Sequence, residues 1–505
     1  MPRRAAAKRP AQPREVAGVD LGSNSFHLLV ARAEEDGRVH VLDRLREPVR
    51  LAGGLDEDQE LTPRAVRRAV AALGRFGERV REMPDAAVRA VGTNTLRRAR
   101  NGAAVEDELS EALGHPVEII SGREEARLIY SGVARATPDV EGRLLVLDIG
   151  GGSTECAIGE GLEPRLLDSL YMGCVGYTQR FFPDGRISKG GFRRAHVAAG
   201  LELSSIARRY RRLGWQRAMG SSGTILAVAE VLRANGWSDG SISAAALEKL
   251  EHELVGQKRI EELSMQGLEG DRIAVFPGGV AILAAAFEQL RIDEMAPSQG
   301  ALREGLVHEL LGREAHGDPR DISIATFASR YKVDAAHAER VERTAADLFE
   351  QANAYWKHDE QSARQLLGWA ARVHEIGLSI AYSGHQKHGA YLLEHAELPG
   401  FSMDEQAILA AIVGCHRRKL PRDSLDAFHG SRRKLALDLT LVLRLAVRLH
   451  RSRSEDPLPE LGLEARKRRL SLTFPEGWLE ERPLTRADLE QEAQQIQKLG
   501  QDLSF

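Results

Sequence analysis

Residues 18–32 read GVDLGSNSFHLLVAR. Two apolar runs flank Asp20, Gly22, Ser23, Asn24 and Ser25, which predicts a strand, a tight turn and a second strand. A hairpin turn alone draws on the same residues, because Gly and Asn supply the backbone freedom it needs. A second stretch separates a plain turn from a functional one. Residues 143–161, RLLVLDIGGGSTECAIGEG, again run from an apolar strand through an Asp into a turn of small residues and out along a strand. Asp148, Gly150, Gly151, Gly152, Ser153, Thr154 and Glu155 repeat the form of the first turn. Glycines let backbone N–H groups approach a phosphate, and small hydroxyls add donors without bulk. An Asp beside them suits Mg²⁺, a hard cation that prefers oxygen ligands. Two such turns in corresponding places are hard to explain as hairpin chemistry. They predict a two-loop phosphate clamp.

Working outward, a third loop, GSSGT (220–224), leads into the apolar run ILAVAEVL. Ser222, Gly223 and Thr224 there offer donors at the start of a helix. Strand-like and helix-like runs alternate through the first three hundred residues, and the pattern restarts after residue 140. That alternation predicts an α/β architecture of two similar lobes, at 15–135 and 136–311. From about residue 318 apolar positions fall at helical spacing, so 318–453 is expected to be all-helical. Residues 454–505 read as a small α+β appendage and 312–321, GREAHGDPRD, as a linker. The basic, Pro/Ala-rich residues 1–14 read as a disordered tail rather than a secretory signal, since no apolar segment follows their charges.

Composition narrows the function classes. The 505 residues are 43% hydrophobic and 28% charged, as in a globular protein, and no run approaches the ~20 apolar residues of a membrane helix. Three scattered cysteines give neither a disulfide framework nor a zinc site and suit a reducing cytoplasm. A net charge of −3 argues against a general nucleic-acid binder. Basic residues nevertheless cluster locally in HRRKLPRD (416–423), SRRKL (431–435) and RKRR (466–469), a face that could hold a polyanion.

The paired turns resemble the phosphate loops of the actin-like and sugar-kinase ATPase fold. More narrowly, VDLGSNSFH, VGTNTLRRA, IISGREEARLIYSGV, LDIGGGSTE, MGCVGYTQRFFP, GSSGT and GALREGL closely resemble the exopolyphosphatase / guanosine pentaphosphate phosphohydrolase family. The resemblance runs from about residue 15 to near the C-terminus. It implies two actin-like lobes and hydrolysis of terminal phosphates from inorganic polyphosphate or guanosine pentaphosphate (pppGpp). It also implies Mg²⁺ as cofactor, with stimulation by a monovalent cation left open, and a homodimer.

Phosphoanhydride hydrolysis needs positioned phosphates, neutralised charge and an oriented water. Glu124 and Glu125 are adjacent candidates for the base. Ser121 and Glu124 stand as S-x-x-E, a capping box, which gives Glu124 a structural job and leaves Glu125 free to face a cleft. The family's catalytic base matches Glu125 as well. Asp148 is the expected Mg²⁺ ligand with Glu155 as its partner, and Asp20 a further metal-site or water-orienting carboxylate or a turn cap. Arg97 matches a family phosphate-binding arginine, and its fork suits a phosphoryl group. His27 reads as an interior histidine.

The helical half contains His374-Glu375, His385, His388 and His416, and resembles the His-Asp metal phosphohydrolase fold with Glu in the place of Asp. The expectation is a degenerate domain whose Arg417, Arg418, Lys419, Arg432, Arg433 and Lys434 guide a long polyanion, with strong salt dependence. FFPDGRISKGGF (181–192) and GHQKHGAYLLEH (384–395) resemble the polyphosphate branch. Processive exopolyphosphatase is therefore the expected activity, with pppGpp 5′-phosphohydrolase as the alternative. A kinase would need an acceptor site and an adenine pocket, and a sensor would bind without turnover.

Overall fold

The computed structural model describes residues 15–33, 39–137, 141–316, 318–419 and 425–505. The expected N-terminal tail lies outside the described residues. The chain divides into two compact units after His316.

The first unit holds two sheets of repeated design. In the five-stranded sheet β1 (Glu15–Leu21), β2 (Phe26–Ala33) and β3 (Val39–Glu47) form an antiparallel meander, and β4 (Val88–Gly92) and β5 (Val117–Ile119) continue it in parallel, in the order β3-β2-β1-β4-β5. In the six-stranded sheet β6 (Arg143–Ile149), β7 (Thr154–Glu160) and β8 (Glu163–Leu170) form the same meander. There β9 (Arg217–Ser221), β10 (Ile242–Ser243) and β11 (Glu294–Pro297) complete the order β10-β11-β9-β6-β7-β8. Register shows how deep the repeat runs. Asp20 lies opposite His27 on one side and Val91 on the other, while Asp148 lies between Glu155 and Ser221. The predicted restart is therefore a repeat of topology. β10 and β11 were not expected, because two and four residues are too short to show a period.

Helices cover the sheets through apolar faces. In Pro63–Val80 the buried positions Ala65, Ala69, Ala72, Leu73, Phe76 and Val80 recur at helical spacing. The helix Leu302–His316 lies on β1 and on the helix Gly122–Ala136, and glycines permit the approach. A Cβ at Gly305 would stand 2.0 Å from the Leu128 carbonyl oxygen, and one at Gly18 2.9 Å from that of Arg303. This helix also corrects the expected linker: it runs through 312–316, and the next helix begins at Pro319. The stretch Gly270–Leu290 is long and apolar enough to cross a membrane, its most apolar 18 residues having mean hydropathy 1.7, but 72% of that window is buried, as in a core helix.

The second unit is mainly helical, with Pro319–Arg330, Ala335–Trp356, Glu360–Val373, His385–His395, Met403–Cys415 and Gly430–Leu449 preceding a three-stranded sheet. β12 (Gly462–Arg466), β13 (Arg469–Thr473) and β14 (Asp502–Ser504) form that sheet, and the helix Pro483–Gln497 joins it. Leu463, Leu470, Leu472, Leu489 and Ile496 share one apolar core with Val341, Leu348 and Leu443. A fully buried Arg444–Glu492 pair ties the last helix to Gly430–Leu449. The C-terminal strands thus complete the helical core.

Candidate active site

The two predicted turns face each other. A Cβ at Gly152 would come within 2.5 Å of Asn94 Oδ1 and 3.3 Å of Ser23 Oγ, and one at Gly151 within 3.1 Å of Ser23 Cβ. A side chain at residue 152 would thus have to displace the Asn94 amide, which stands between the two turns. Thr95 Oγ1 donates to Ser23 Oγ at 2.8 Å, which fixes the first turn. Gly150 N–H donates to the Ser153 carbonyl at 2.9 Å, which closes the second. Both turns stand at the C-terminal ends of their first strands, where open α/β sheets hold ligands.

Four carboxylates gather there. Burial pushes Asp20 up to about 8, with Glu125 adding repulsion and Arg303 opposing it. Glu125 is pushed up to about 7 by burial against the pull of Arg97. Asp148 rises to about 6 through burial, opposed by the hydrogen bond it accepts from Ser221 Oγ. Glu155 rises through burial and the repulsion of Glu125 and Asp148, and accepts from Ser169 Oγ at 2.8 Å. Among the described residues Glu125 has an ion pair, with Arg97, whereas Asp20, Asp148 and Glu155 have none. Asp20 Oδ1 is buried without a hydrogen-bond partner. Desolvated, unpaired oxygens of this kind are costly unless a cation meets them. The donor set is all oxygen, which fits a hard divalent ion. Mg²⁺ in particular takes one or two carboxylates and completes its shell with phosphate and water.

The capping box expected from Ser121 and Glu124 is only half formed, and another partner takes the Glu124 side chain. Glu124 N–H donates to Ser121 Oγ at 3.2 Å, and the Glu124 carboxylate accepts two bonds from Arg127 at 2.7 Å. Glu124 is structural. Arg97 Nη1 donates to Glu125 Oε2 at 3.3 Å and to the Ile120 carbonyl at 2.7 Å. Unpartnered polar atoms of Asn24 (Nδ2), Asn94 (Nδ2) and Ser222 (Oγ) are buried in the same loops. Ser222 also holds φ at +82°, a strained conformation for a residue with a Cβ and one that collects at functional sites.

Two expected phosphate donors are redirected. Thr154 Oγ1 donates to the Met172 carbonyl at 2.6 Å in full burial, so its hydroxyl is committed to the backbone. Ser153 hydrogen-bonds Glu155, whereas Thr224 Oγ1, like Ser222 Oγ, is buried without a partner. Gly223 leaves room for Arg272, whose Nη2 would meet an added Cβ at 2.1 Å. Sequence reasoning gave no role to Asn94, Arg272, Arg303 or Arg46. Asn94 and Arg303 lie inside the quoted stretches VGTNTLRRA and GALREGL, but nothing local shows that Arg303 acts on Asp20 and Asp148. Arg46 reaches Ser25 Oγ at 3.4 Å and Asp271 Oδ2 at 2.6 Å, joining β3 to the 3₁₀ turn Gly270–Val275. His27 is interior as expected, pushed down to about 3 by burial and Arg303.

In the second unit several of the basic residues expected to guide a polyanion are engaged locally. Arg432 pairs with Asp404 at 2.9 Å and Arg433 with Asp426 at 2.6 Å, while Lys434 donates to the Trp356 carbonyl at 2.9 Å. Arg417 Nη1 lies 2.9 Å from His385 Nδ1, and Arg418 and Lys419 are exposed.

Comparison with known proteins adds relatives along the whole chain. Residues 29–314 match the model of the Ppx/GppA phosphatase family, and residues 320–493 that of Ppx/GppA phosphatase, domain III. A guanosine-5′-triphosphate,3′-diphosphate pyrophosphatase of Aeromonas hydrophila is 40% identical over 487 residues, covering 96% of this chain and 97% of its own. The protein of the same name from Vibrio cholerae is 41% identical over 490 residues, with 97% of each chain covered. Among solved structures, the Ppx/GppA family member of Aquifex aeolicus superposes with a TM-score of 0.52 at 27% identity, over 60% of this chain and 99% of that one. An exopolyphosphatase of Cytophaga hutchinsonii shares the fold, with a TM-score of 0.53 at 24% identity over 59% of this chain and 97% of that one.

Proposed function

The chain belongs to the Ppx/GppA phosphatase family, and from that premise we propose that it hydrolyses the terminal 5′-phosphoanhydride of guanosine 5′-triphosphate,3′-diphosphate. The reaction class is carried by Glu125, a buried carboxyl paired with Arg97 beside two facing turns, with unpartnered donors on Asn24, Asn94 and Ser222. The substrate choice is supported by the relatives named for it, which match this chain from end to end. Long-chain polyphosphate, the expectation from sequence, becomes the second substrate to test.

In this reading Glu125 takes a proton from a water whose oxygen attacks the terminal phosphorus, and the bond from that phosphorus to its bridging oxygen breaks. Asn24, Asn94, Ser222 and the Arg97 fork hold the phosphoryl oxygens. Asp148 and Glu155 would hold Mg²⁺, which supplies charge neutralisation when bound. Asp20 orients the water. A positioned base contributes ~10²–10⁴-fold in rate.

The test is phosphate release from pppGpp and from long-chain polyphosphate, with Mg²⁺, by wild type and Glu125→Gln. Turnover of pppGpp that falls at least ~10²-fold in the variant supports both substrate and base. Turnover of polyphosphate alone reverses the substrate order, and an unimpaired variant removes Glu125 from the mechanism. The homodimer belongs to the same reading, and a sedimentation mass equal to the 55.5 kDa chain would end it.

A further inference from the structure

The second unit contains a group of buried donors unrelated to the carboxylate cleft. His337 lies in the first turn of Ala335–Trp356, where its backbone N–H donates to Asp334 at 3.0 Å. His374 and Glu375 follow Glu360–Val373, where the chain passes into the 3₁₀ turn Ile376–Ser379. One ligand atom from each of the three lies within 4.8 Å of the others. His374 Nδ1 lies 2.7 Å from the Ala371 carbonyl, which can only accept, so that nitrogen carries the proton and Nε2 keeps its lone pair. That Nε2 is buried without a partner, and so is His337 Nδ1. Both side chains are almost fully enclosed, at 1% and 3% exposure.

A core histidine normally satisfies both ring nitrogens, because an orphaned one has lost its water without gaining a partner. Here two histidines that each carry an orphaned nitrogen are grouped with a carboxylate. Arg453 donates to Glu375 Oε1 at 2.5 Å and fixes that side chain, while the Ala371 carbonyl fixes the His374 ring. Backbone or side-chain partners of this kind are what orient metal-ligating imidazoles and carboxylates. His416 repeats the device, with Nδ1 2.6 Å from the Val413 carbonyl and its ring 5.3 Å from that of His374.

We propose that His337, His374 and Glu375 form a binding site for a divalent first-row transition ion. Two imidazoles and a carboxylate suit Zn²⁺, Mn²⁺ or Fe²⁺ and leave coordination positions open. The site is independent of the hydrolytic reading of the first unit.

The test uses the full-length, tag-free protein stripped with a chelator and titrated with Zn²⁺ by calorimetry and with Co²⁺ by visible absorption. Wild type is expected to take up one tight equivalent and to give a Co²⁺ d–d band. His374→Gln weakens that equivalent by at least ~10²-fold and removes the band, and Glu375→Gln weakens it by ~10-fold or more. Circular dichroism melts establish that each variant is folded. If His374→Gln does not fold, His337→Gln replaces it. Equal Zn²⁺ affinity in wild type and two folded variants, or no tight equivalent in wild type, would overturn the site. Glu125→Gln should bind this equivalent as wild type does, so failure of the hydrolytic reading would register separately.

Discussion

Arg97 grips the carboxylate proposed to activate water: its two terminal nitrogens lie 3.3 and 3.4 Å from Glu125 Oε2. The Ile120 carbonyl anchors the same guanidinium from the other side. Arg97 opposes the burial that raises Glu125 to about 7, so it favours the ionised base in a site that disfavours it.

Replacing Arg97 with Lys keeps the charge but loses the fork. Activity should fall ~10–100-fold, the size of a lost oriented charge contact of about 1.5–3 kcal/mol. In Arg97→Ala the acid limb of the kcat/KM profile should also move to higher pH, because the group that lowers Glu125 is gone. A pH–rate series on the two variants checks both points, and an unmoved limb would separate Arg97 from the base.

Asp20 makes stability depend on pH with a definite sign. Its folded value, about 8, exceeds its ordinary 3.8. Between those values the folded state holds a proton that the unfolded chain has released, so this group's contribution is full below pH ~4 and is lost as pH rises toward ~8. Asp20→Asn does not titrate. Without divalent ions its stability relative to wild type should therefore grow across that window, on the order of 3 kcal/mol. Urea melts at pH 5 and pH 8 give the difference, and a constant gap would contradict the burial of Asp20.

Gly305 offers a test of packing without touching a charged group. An Ala Cβ there would meet the Leu128 carbonyl at 2.0 Å, and backbone cannot move aside as a flexible side chain can. Gly305→Ala should cost about 1–3 kcal/mol, seen as a lower Tm. Gly312, with open space around it, is the control, and Gly312→Ala should leave Tm unchanged or raise it.

Arg46 separates stability from binding. Its pair with Asp271 is partly exposed, at 44% and 16%, and pairs of that kind contribute roughly 0–1 kcal/mol. Its contact with Ser25 in the first turn is the more consequential one. Arg46→Ala should barely change Tm but raise KM severalfold, the more so at low salt. Equal KM in variant and wild type would confine Arg46 to a surface role.

What could be read early had local causes. The strand–turn–strand form of both loops, the restart after residue 140 and the division of labour between Glu124 and Glu125 follow from spacing and residue type. The fate of Thr154 does not: it has the right hydroxyl in the right turn, and it is turned away to the Met172 carbonyl, eighteen residues on. The polyphosphate preference rested on FFPDGRISKGGF and GHQKHGAYLLEH, whereas the end-to-end relatives are named for a guanosine substrate.

The sequence by itself determined two strand–turn–strand loops of repeated form, an α/β first half and a mainly helical second half, because each follows from local residue type and apolar period. Tertiary structure alone decided that Gly152 meets Asn94, that the charge of Arg303 bears on Asp20 and Asp148, and that His337 joins His374 and Glu375. Those pairings depend on how sheets and helices pack, and packing brings together residues that no local period links.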